Sequence, residues 1–406
     1  MALRTTTPFN HQDTGSPPPS QEKVPPAAGE SPDFVGADDF DPRDPPHFRY
    51  AELRAAIPKH CFRRDARRSL GYAARDVAAI AILGAAAAFL DSWYFWPIYW
   101  LAQGLMFFAI FFIGHDCGHG SFSESSRLND FVGCCLNSFI LVPYHSWRIS
   151  HRHHHQHQGH ADDDESWVPV TESVYRTLPL PVRFLRFTMP FQLFIWPFYM
   201  LCGKLGTRGR SYFNPYSEVV GAGERTAVMA SLGWWAGMAG LLVGASRAYG
   251  VGIIFKLYAV PYLIFVMWLD LITYLHHHSY DHLVPWYRGK EWSYIRGGLC
   301  TVDHDYGWVS RCIHYAGTHV VHHFFPQIPH YNLVEATEAI KPVLGKWYRE
   351  PKKSAALPFH LVKQLAASVH RDHFVSDGGD VVFYRTDPSL HRLPKFFLKF
   401  RSESSG

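Results

Sequence analysis

Long apolar runs alternate along this chain with polar, histidine-bearing stretches. An alanine-rich run from Val77 to Leu90 is followed, after Asp91 and Ser92, by a second from Trp93 to Gly114. Another pair runs from Ala227 to Ala245 and from Val251 to Tyr274. The second run is long enough to cross a bilayer, whose apolar core takes about 20 helical residues. The first is short for that and needs Tyr72 to Ala74 or a locally thinned bilayer. Phe131 to Tyr144, and Phe187 to Leu201 with its internal prolines, are too short for full spans and predict re-entrant or interfacial segments. The expected fold class is all-α: a polytopic membrane protein with four transmembrane helices in two hairpins, carrying a helical cap.

Outside these runs the patterning weakens. Residues 1–48 are rich in proline, serine, glycine and acids (SPPPSQEKVPPAAGESPD) and lack hydrophobic periodicity, which predicts a disordered tail. The tail has no apolar core of a secretory signal, and Glu22, Glu30, Asp33, Asp38 and Asp39 argue against a transit peptide, which is acid-poor. The endoplasmic reticulum membrane is therefore expected ahead of a chloroplast membrane. Residues 49–352 form the expected membrane domain, and 353–406 a C-terminal cytosolic segment.

Basic residues set the orientation. Arg63, Arg64, Arg67 and Arg68 precede the first run, and Arg176, Arg183, Arg186, Lys204, Arg208, Arg210 and Arg225 lie between the pairs. The turns inside the pairs hold only Arg247, so the positive-inside rule puts both termini and the central loop in the cytosol. Within the spans, Asp270 stands out as an ionisable residue.

The chain has 406 residues, 47% of them hydrophobic, and a formal net charge of +4 with histidine neutral. That mild balance suits an anionic membrane face, and without a basic stripe interleaved with aromatics it argues against nucleic-acid binding. Seven cysteines without a CxxC pair argue against a disulfide framework and for a reducing compartment.

The candidate chemistry lies in eight histidines in three clusters: His115 and His119 in HDCGH, His151, His154 and His155 in HRHHH, and His319, His322 and His323 in HVVHH. Residues three or four apart share a helix face and can aim imidazoles at one metal. Eight imidazoles exceed one tetrahedral site, so convergence of the clusters points to two ions, while imidazole alone does not choose among iron, zinc, copper and nickel. His153, His157 and His160 fall off the ligand spacing, and Cys117 lies about 200° around the helix from His115. Asp164 and Glu165 are candidates to hydrogen-bond ligand imidazoles from behind. Asp270, about two turns before His277, is a candidate to orient that ring.

The strings HDCGHGSFS, WRISHRHHHQHQGHADDDESWVP, GTRGRSYFNPYS, LVPWYRGKEWSYIRGGL and GTHVVHHFFPQIPHYNLVEATEAIKPVLGKWYREP resemble those of membrane fatty acid desaturases. Over about residues 48–352 the likeness is to the plant and algal omega-3 acyl-lipid branch. The resemblance implies a non-haem di-iron enzyme in which the clustered histidines ligate two iron ions and O2 is co-substrate. A further ligand would come from LHHHS, with His277 the best match and His276 and His278 as alternatives. It also implies a membrane glycerolipid substrate, whose linoleoyl chain would become alpha-linolenoyl. With no HPGG stretch for a fused haem domain, electrons would come from cytochrome b5 and its reductase, or from ferredoxin in a plastid. The family pattern has two histidines where this chain has Ile313, His314 and Tyr315, so His314 is a possible supporting residue only. The alternatives are a delta-12 desaturase or acyl hydroxylase of the same superfamily, and, from another class, a histidine-rich metal transporter or sensor. The transporter reading predicts ionisable groups along the spans, which are almost free of them apart from Asp270.

Overall fold

The structure, a computed structural model, describes residues 44–203, 210–279, 284–355 and 358–392. Nearly all of the expected tail, and Lys204 and Arg208 of the basic central loop, lie outside the described residues. Among the described residues, four helices are long and apolar enough to cross a membrane: Ala66–Leu90, Trp96–His119, Ala222–Tyr249 and Val251–His277.

The first span resolves its own shortage of length. Asp65 accepts hydrogen bonds from the backbone N–H groups of Arg67 and Arg68, so the helix starts well before the apolar run. Its 25 residues reach about 37 Å at ~1.5 Å per residue, longer than the ~30 Å apolar core of a bilayer. The first turns therefore stand in the polar layer without bilayer thinning.

The second span is the axis of the bundle. Two thirds of its apolar window (67%) is buried by protein, against 22%, 11% and 22% for the first, third and fourth spans, which leave most of their surface for lipid. At Gly104 it meets the fourth span so closely that a Cβ would lie 2.5 Å from Ile264, which only a glycine allows.

The fourth span is irregular near its start. Phe255–Ala259 is a π-helical stretch, followed by Pro261 in the first turn of Val260–His277. Proline cannot donate to the carbonyl four residues back. Tyr99 of the second span fills that gap, donating to the Leu257 carbonyl at 2.6 Å, and Trp100 donates to the Lys256 carbonyl at 2.9 Å. The Lys256 ammonium reaches back to Asp91 at 2.8 Å, joining the turn of the first hairpin to the start of the fourth span. The spans thus hold more charge than expected: Lys256 lies in the fourth and Arg75 and Asp76 in the first, besides Asp270.

The apolar stretch from Phe131 is not one segment. It belongs to a helix, Ser126–Phe139, started by the Ser125 hydroxyl accepting from the Leu128 N–H. A break at Ile140–Pro143 starts a new helix, Tyr144–His157, which carries the second histidine cluster. Phe187–Leu201 is likewise split, into a turn of 3-10 helix (Phe191–Phe194) and a short helix (Trp196–Cys202).

The cap is mainly helical and, among the described residues, contains one strand pair. Its core joins Phe48, Leu53 and Ile57 to Val320, Val321 and Phe324 around the third cluster. β1 (Trp286–Tyr287) pairs antiparallel with β2 (Val381–Val382). The helix Phe359–Arg371 buries Leu361, Leu365 and Val369 in the main core. Residues 358–392 are thus packed into the domain rather than appended to it. All seven cysteines are unpaired.

Candidate metal centre

All three histidine clusters converge at one end of the bundle. His115 and His119 form the last turns of the second span, with Gly120 in the left-handed conformation stopping the helix. His276 and His277 end the fourth span in the same region. The histidines sort into two groups with ligand atoms within 4.8 Å of one another: His115, His119, His151, His155 and His322, and separately His154, His277 and His323. His319 joins the second group, its Nε2 lying 3.2 Å from that of His277 and 2.8 Å from that of His323.

Each triplet is divided between the groups. His151 and His155 stay together, Nε2 to Nε2 at 3.2 Å, while His154 crosses over. In the third cluster His319 and His323 stay together and His322 crosses, approaching His155 at 3.2 Å. Helical geometry accounts for this: i and i+4 differ by about 40° around the axis, whereas i+3 and i+4 differ by about 100°. One short helix can therefore serve two neighbouring centres, so the expectation that a triplet aims at one metal holds only for its i, i+4 pair.

The rings have the chemistry of ligands. Burial, reinforced by neighbouring imidazoles, holds His151, His155, His319, His322 and His323 well below the usual histidine range, so they are neutral donors at pH 7. His119 leaves its buried Nε2 without a hydrogen-bond partner, which costs free energy unless a ligand satisfies it. Metal–nitrogen bonds of about 2.1 Å put adjacent ligands roughly 3 Å apart, the separation that these facing nitrogens show. The residues present therefore fit a bound metal.

Behind the rings, hydrogen bonds set orientation. Asp164 is fully buried, accepts from the N–H groups of Gly159, Ser166 and Trp167, and pairs with His154 Nδ1 at 2.6 Å. That leaves His154 Nε2 for the centre. Glu165, expected in a similar role, forms a 2.5 Å ion pair with Arg210. Asp270 also departs from expectation: its carboxylate accepts from the Trp196 N–H at 3.2 Å and anchors the Trp196–Cys202 helix rather than orienting His277. His314 stands outside both groups, bonded through Nε2 to Asp76 of the first span at 2.6 Å. Of the LHHHS histidines, His277 is the one whose ring nitrogen lies in the group, while His276 has Nδ1 tied to the Val302 carbonyl and Nε2 3.4 Å from the Tyr306 hydroxyl, and His278 has Nδ1 tied to the Tyr274 carbonyl.

Several supporting residues carry no signal in the sequence. Gln158 bonds His323 Nδ1 through its side-chain oxygen. Asp303 accepts from the N–H groups of His319 and Val320 and from the Tyr348 hydroxyl, fixing the helix of the third cluster. Asp116 accepts from His330 and lies 4.0 Å from His115. The Gln158–His323, Asp303–Tyr348 and Asp116–His330 contacts join positions far apart in the chain, which local spacing does not reveal. Beside the histidines lies a cavity of about 100 Å³, lined by Phe108, Phe111, Phe112, Trp147, Trp196, Leu269 and Ile272. At Ser166, Arg186, Ile195 and Tyr199 it adjoins an apolar groove that includes exposed Leu185, Phe191 and Phe198.

Comparison with known proteins bears on this arrangement. The family profile described as Fatty acid desaturase matches residues 91–352, and a profile described only as a domain of unknown function matches residues 1–87. The chain is 58% identical over 353 residues to the Omega-3 fatty acid desaturase, endoplasmic reticulum, of Vigna radiata var. radiata, covering 87% of this chain and 93% of that protein. It is 55% identical over 352 residues to the Acyl-lipid omega-3 desaturase (cytochrome b5), endoplasmic reticulum, of Arabidopsis thaliana, covering 87% and 91%. It is 56% identical over 352 residues to the sn-2 acyl-lipid omega-3 desaturase (ferredoxin), chloroplastic, of the same plant, covering 87% and 79%. Spans, histidine geometry and relatives agree that this chain belongs to the fatty acid desaturase family, in its omega-3 branch.

Proposed function

We propose that the protein inserts a cis double bond into the linoleoyl chain of a membrane glycerolipid, giving alpha-linolenoyl, at two iron ions. One would be held by His115, His119, His151, His155 and His322, the other by His154, His277, His319 and His323. The observation that carries this reading is the apolar cavity running beside both histidine groups. When bound, the iron pair supplies the oxidising equivalents of O2 that remove two hydrogens from neighbouring methylenes, both oxygens leaving as water.

The chain's own residues do the rest. Phe108, Phe111, Phe112 and Leu269 offer an acyl tail only apolar surface, which favours its burial and excludes water. Trp167, stacked over His277 with ring centroids 5.8 Å apart, closes the wall beside that ring. Asp164 holds the His154 tautomer and Gln158 that of His323, so their ligand nitrogens are preset. The exposed apolar side chains of the adjoining groove suit the path by which a lipid tail reaches the cavity from the bilayer.

Residence in the endoplasmic reticulum membrane and electrons from cytochrome b5, itself reduced by its reductase, are supported by relatives named for that membrane and for cytochrome b5 and by the acidic tail. Ferredoxin and a chloroplast membrane are the alternative that the plastid relatives support. The test is expression in a eukaryotic host lacking this activity, fed linoleate, with double bonds located by mass spectrometry. Alpha-linolenate should form with the wild type and vanish with His154→Ala. Consumption of oleate alone would replace the proposal with a delta-12 enzyme or a hydroxylase.

A further inference from the structure

The start of the first span holds a feature that binding and oxidising an acyl chain do not use. Where the first span begins, Arg63, Arg64, Arg67 and Arg68 are exposed within six residues, with exposed Lys59 close by. Arg63, Arg64 and Arg67 form no ion pair among the described residues. The nearby acids are engaged: Glu335 with His60 at 2.9 Å, Asp65 with the helix start, and Glu338 with Lys341 at 2.6 Å.

A continuous run of rings leads inward from this patch. The Arg68 guanidinium lies 4.0 Å above the Tyr331 ring. Tyr331 stacks on Tyr72 with centroids 5.9 Å apart and planes 10° from parallel. Tyr72 meets His330 edge-on at 4.7 Å. His330 Nδ1 is 2.8 Å from Asp116 Oδ2, and the other carboxylate oxygen of Asp116 is 4.0 Å from His115 Nδ1. Arg68 is exposed, Tyr331 and Tyr72 are half-buried, and His330 is fully buried, so the run crosses from solvent to the five-histidine group.

We propose that this face docks an acidic one-electron carrier protein, and that Tyr331, Tyr72, His330 and Asp116 form the bridge by which its electrons reach the centre. The inference rests on the di-iron reading and deepens it by naming where the donor binds. Lys59, Arg63, Arg64, Arg67 and Arg68 outnumber Asp65 and Glu335 at this surface, and such an excess of cations steers an acidic partner and fixes its register. Electron tunnelling falls steeply with each through-space gap, and contacting rings followed by a hydrogen bond keep those gaps small. Two such transfers per turnover supply two electrons, which with two protons and O2 convert –CH2–CH2– to –CH=CH– and two waters. No residue of the bridge is itself consumed.

The test uses the full-length protein, iron-loaded, in nanodiscs of zwitterionic phosphatidylcholine, with the soluble haem domain of cytochrome b5 as probe. Arg63→Glu/Arg64→Glu/Arg67→Glu should weaken carrier binding about tenfold at low salt, with the difference closing at high salt. Tyr72→Leu should leave binding intact but remove most of the fast reoxidation of pre-reduced carrier in anaerobic mixing, and Tyr72→Phe, which keeps the ring, should restore it. Unchanged affinity in the triple variant would overturn the docking face and leave those arginines as anchors to anionic lipid. An unchanged rate in Tyr72→Leu would overturn the bridge. Iron content is read in parallel: a wild type that binds the carrier but holds no iron sinks the metal reading and leaves the docking face standing.

Discussion

The two histidine groups are built from the same side chain but held in different ways. In the four-histidine group the rings are hydrogen-bonded from behind: His154 to Asp164 at 2.6 Å, His323 to Gln158, and the helix of His319 to Asp303. In the five-histidine group the rings are held by stacking: Phe112 on His115 with centroids 5.0 Å apart, and Trp147 on His151 at 4.8 Å. His115 and His155 there keep a buried Nδ1 without a partner. An imidazole that donates to a carboxylate is a more basic and better oriented ligand than one packed only by rings. The four-histidine group thus adds polar contacts to the stacking of Trp167 on His277, while the five-histidine group relies on stacking and opens toward His330 and the arginine face.

The sharpest way to break this comparison is to remove one ligand from each group. His322→Ala and His323→Ala are neighbours in sequence but fall in different groups. Each should abolish turnover and lose about one of two irons, as expected when a ligand leaves a site with a fixed donor set. If both variants emptied the same iron, with matching spectra, the partition would be wrong. Below that in size comes Asp164→Ala, which should weaken iron binding by roughly 10–100-fold at the four-histidine group only. Chelator competition would read this, with Phe112→Leu as the counterpart expected to leave affinity nearly unchanged. Equal losses in the two variants would erase the distinction between polar and stacked support.

Acid should act on both groups through the metal-free protein. Burial holds His151, His155, His319, His322 and His323 below their unfolded value of about 6.5. As pH falls through that value the unfolded chain takes up protons first, so stability falls with it. Asp303 and Asp372, pushed up to about 6 by burial, act in the opposite direction, since the folded state protonates them first. Five depressed imidazoles against two raised carboxyls leave a net loss. The thermal midpoint of apo-protein should therefore be lower at pH 5.5 than at 7.5, with iron-loaded protein less affected because metal occupies the same nitrogens. A flat or inverted apo profile would mean that the rings are not buried as neutral donors.

Much of the arrangement was legible because it is local. Apolar runs gave the four spans, and spacing picked out His115, His119, His151, His154, His155, His319, His322 and His323. The length of the first span was hidden because Asp65 starts the helix among arginines, where hydropathy carries no signal. Charge inside the fourth span was missed because Lys256 finds its partner, Asp91, across the bundle. The split of each triplet was illegible for a similar reason, since helical spacing says which rings share a face but not what faces them. Asp270 was misplaced on the same ground: two turns of helix put it in line with His277, but the Trp196 N–H lay within its reach and satisfied it.

The smallest expected effect is also the closest control. His153 sits one residue before His154 in the same helix, about 100° around its axis. It belongs to neither group, is half-buried, and its backbone carbonyl faces His157 Nδ1 at 3.0 Å. His153→Ala should hold both irons and keep turnover within about threefold, in line with substitutions away from packed or ligating contacts. His154→Ala, one position on, should lose an iron and all activity. If His153→Ala failed as His154→Ala does, histidine density rather than ring direction would govern the second cluster, and the division of HRHHH between two centres would have to be abandoned.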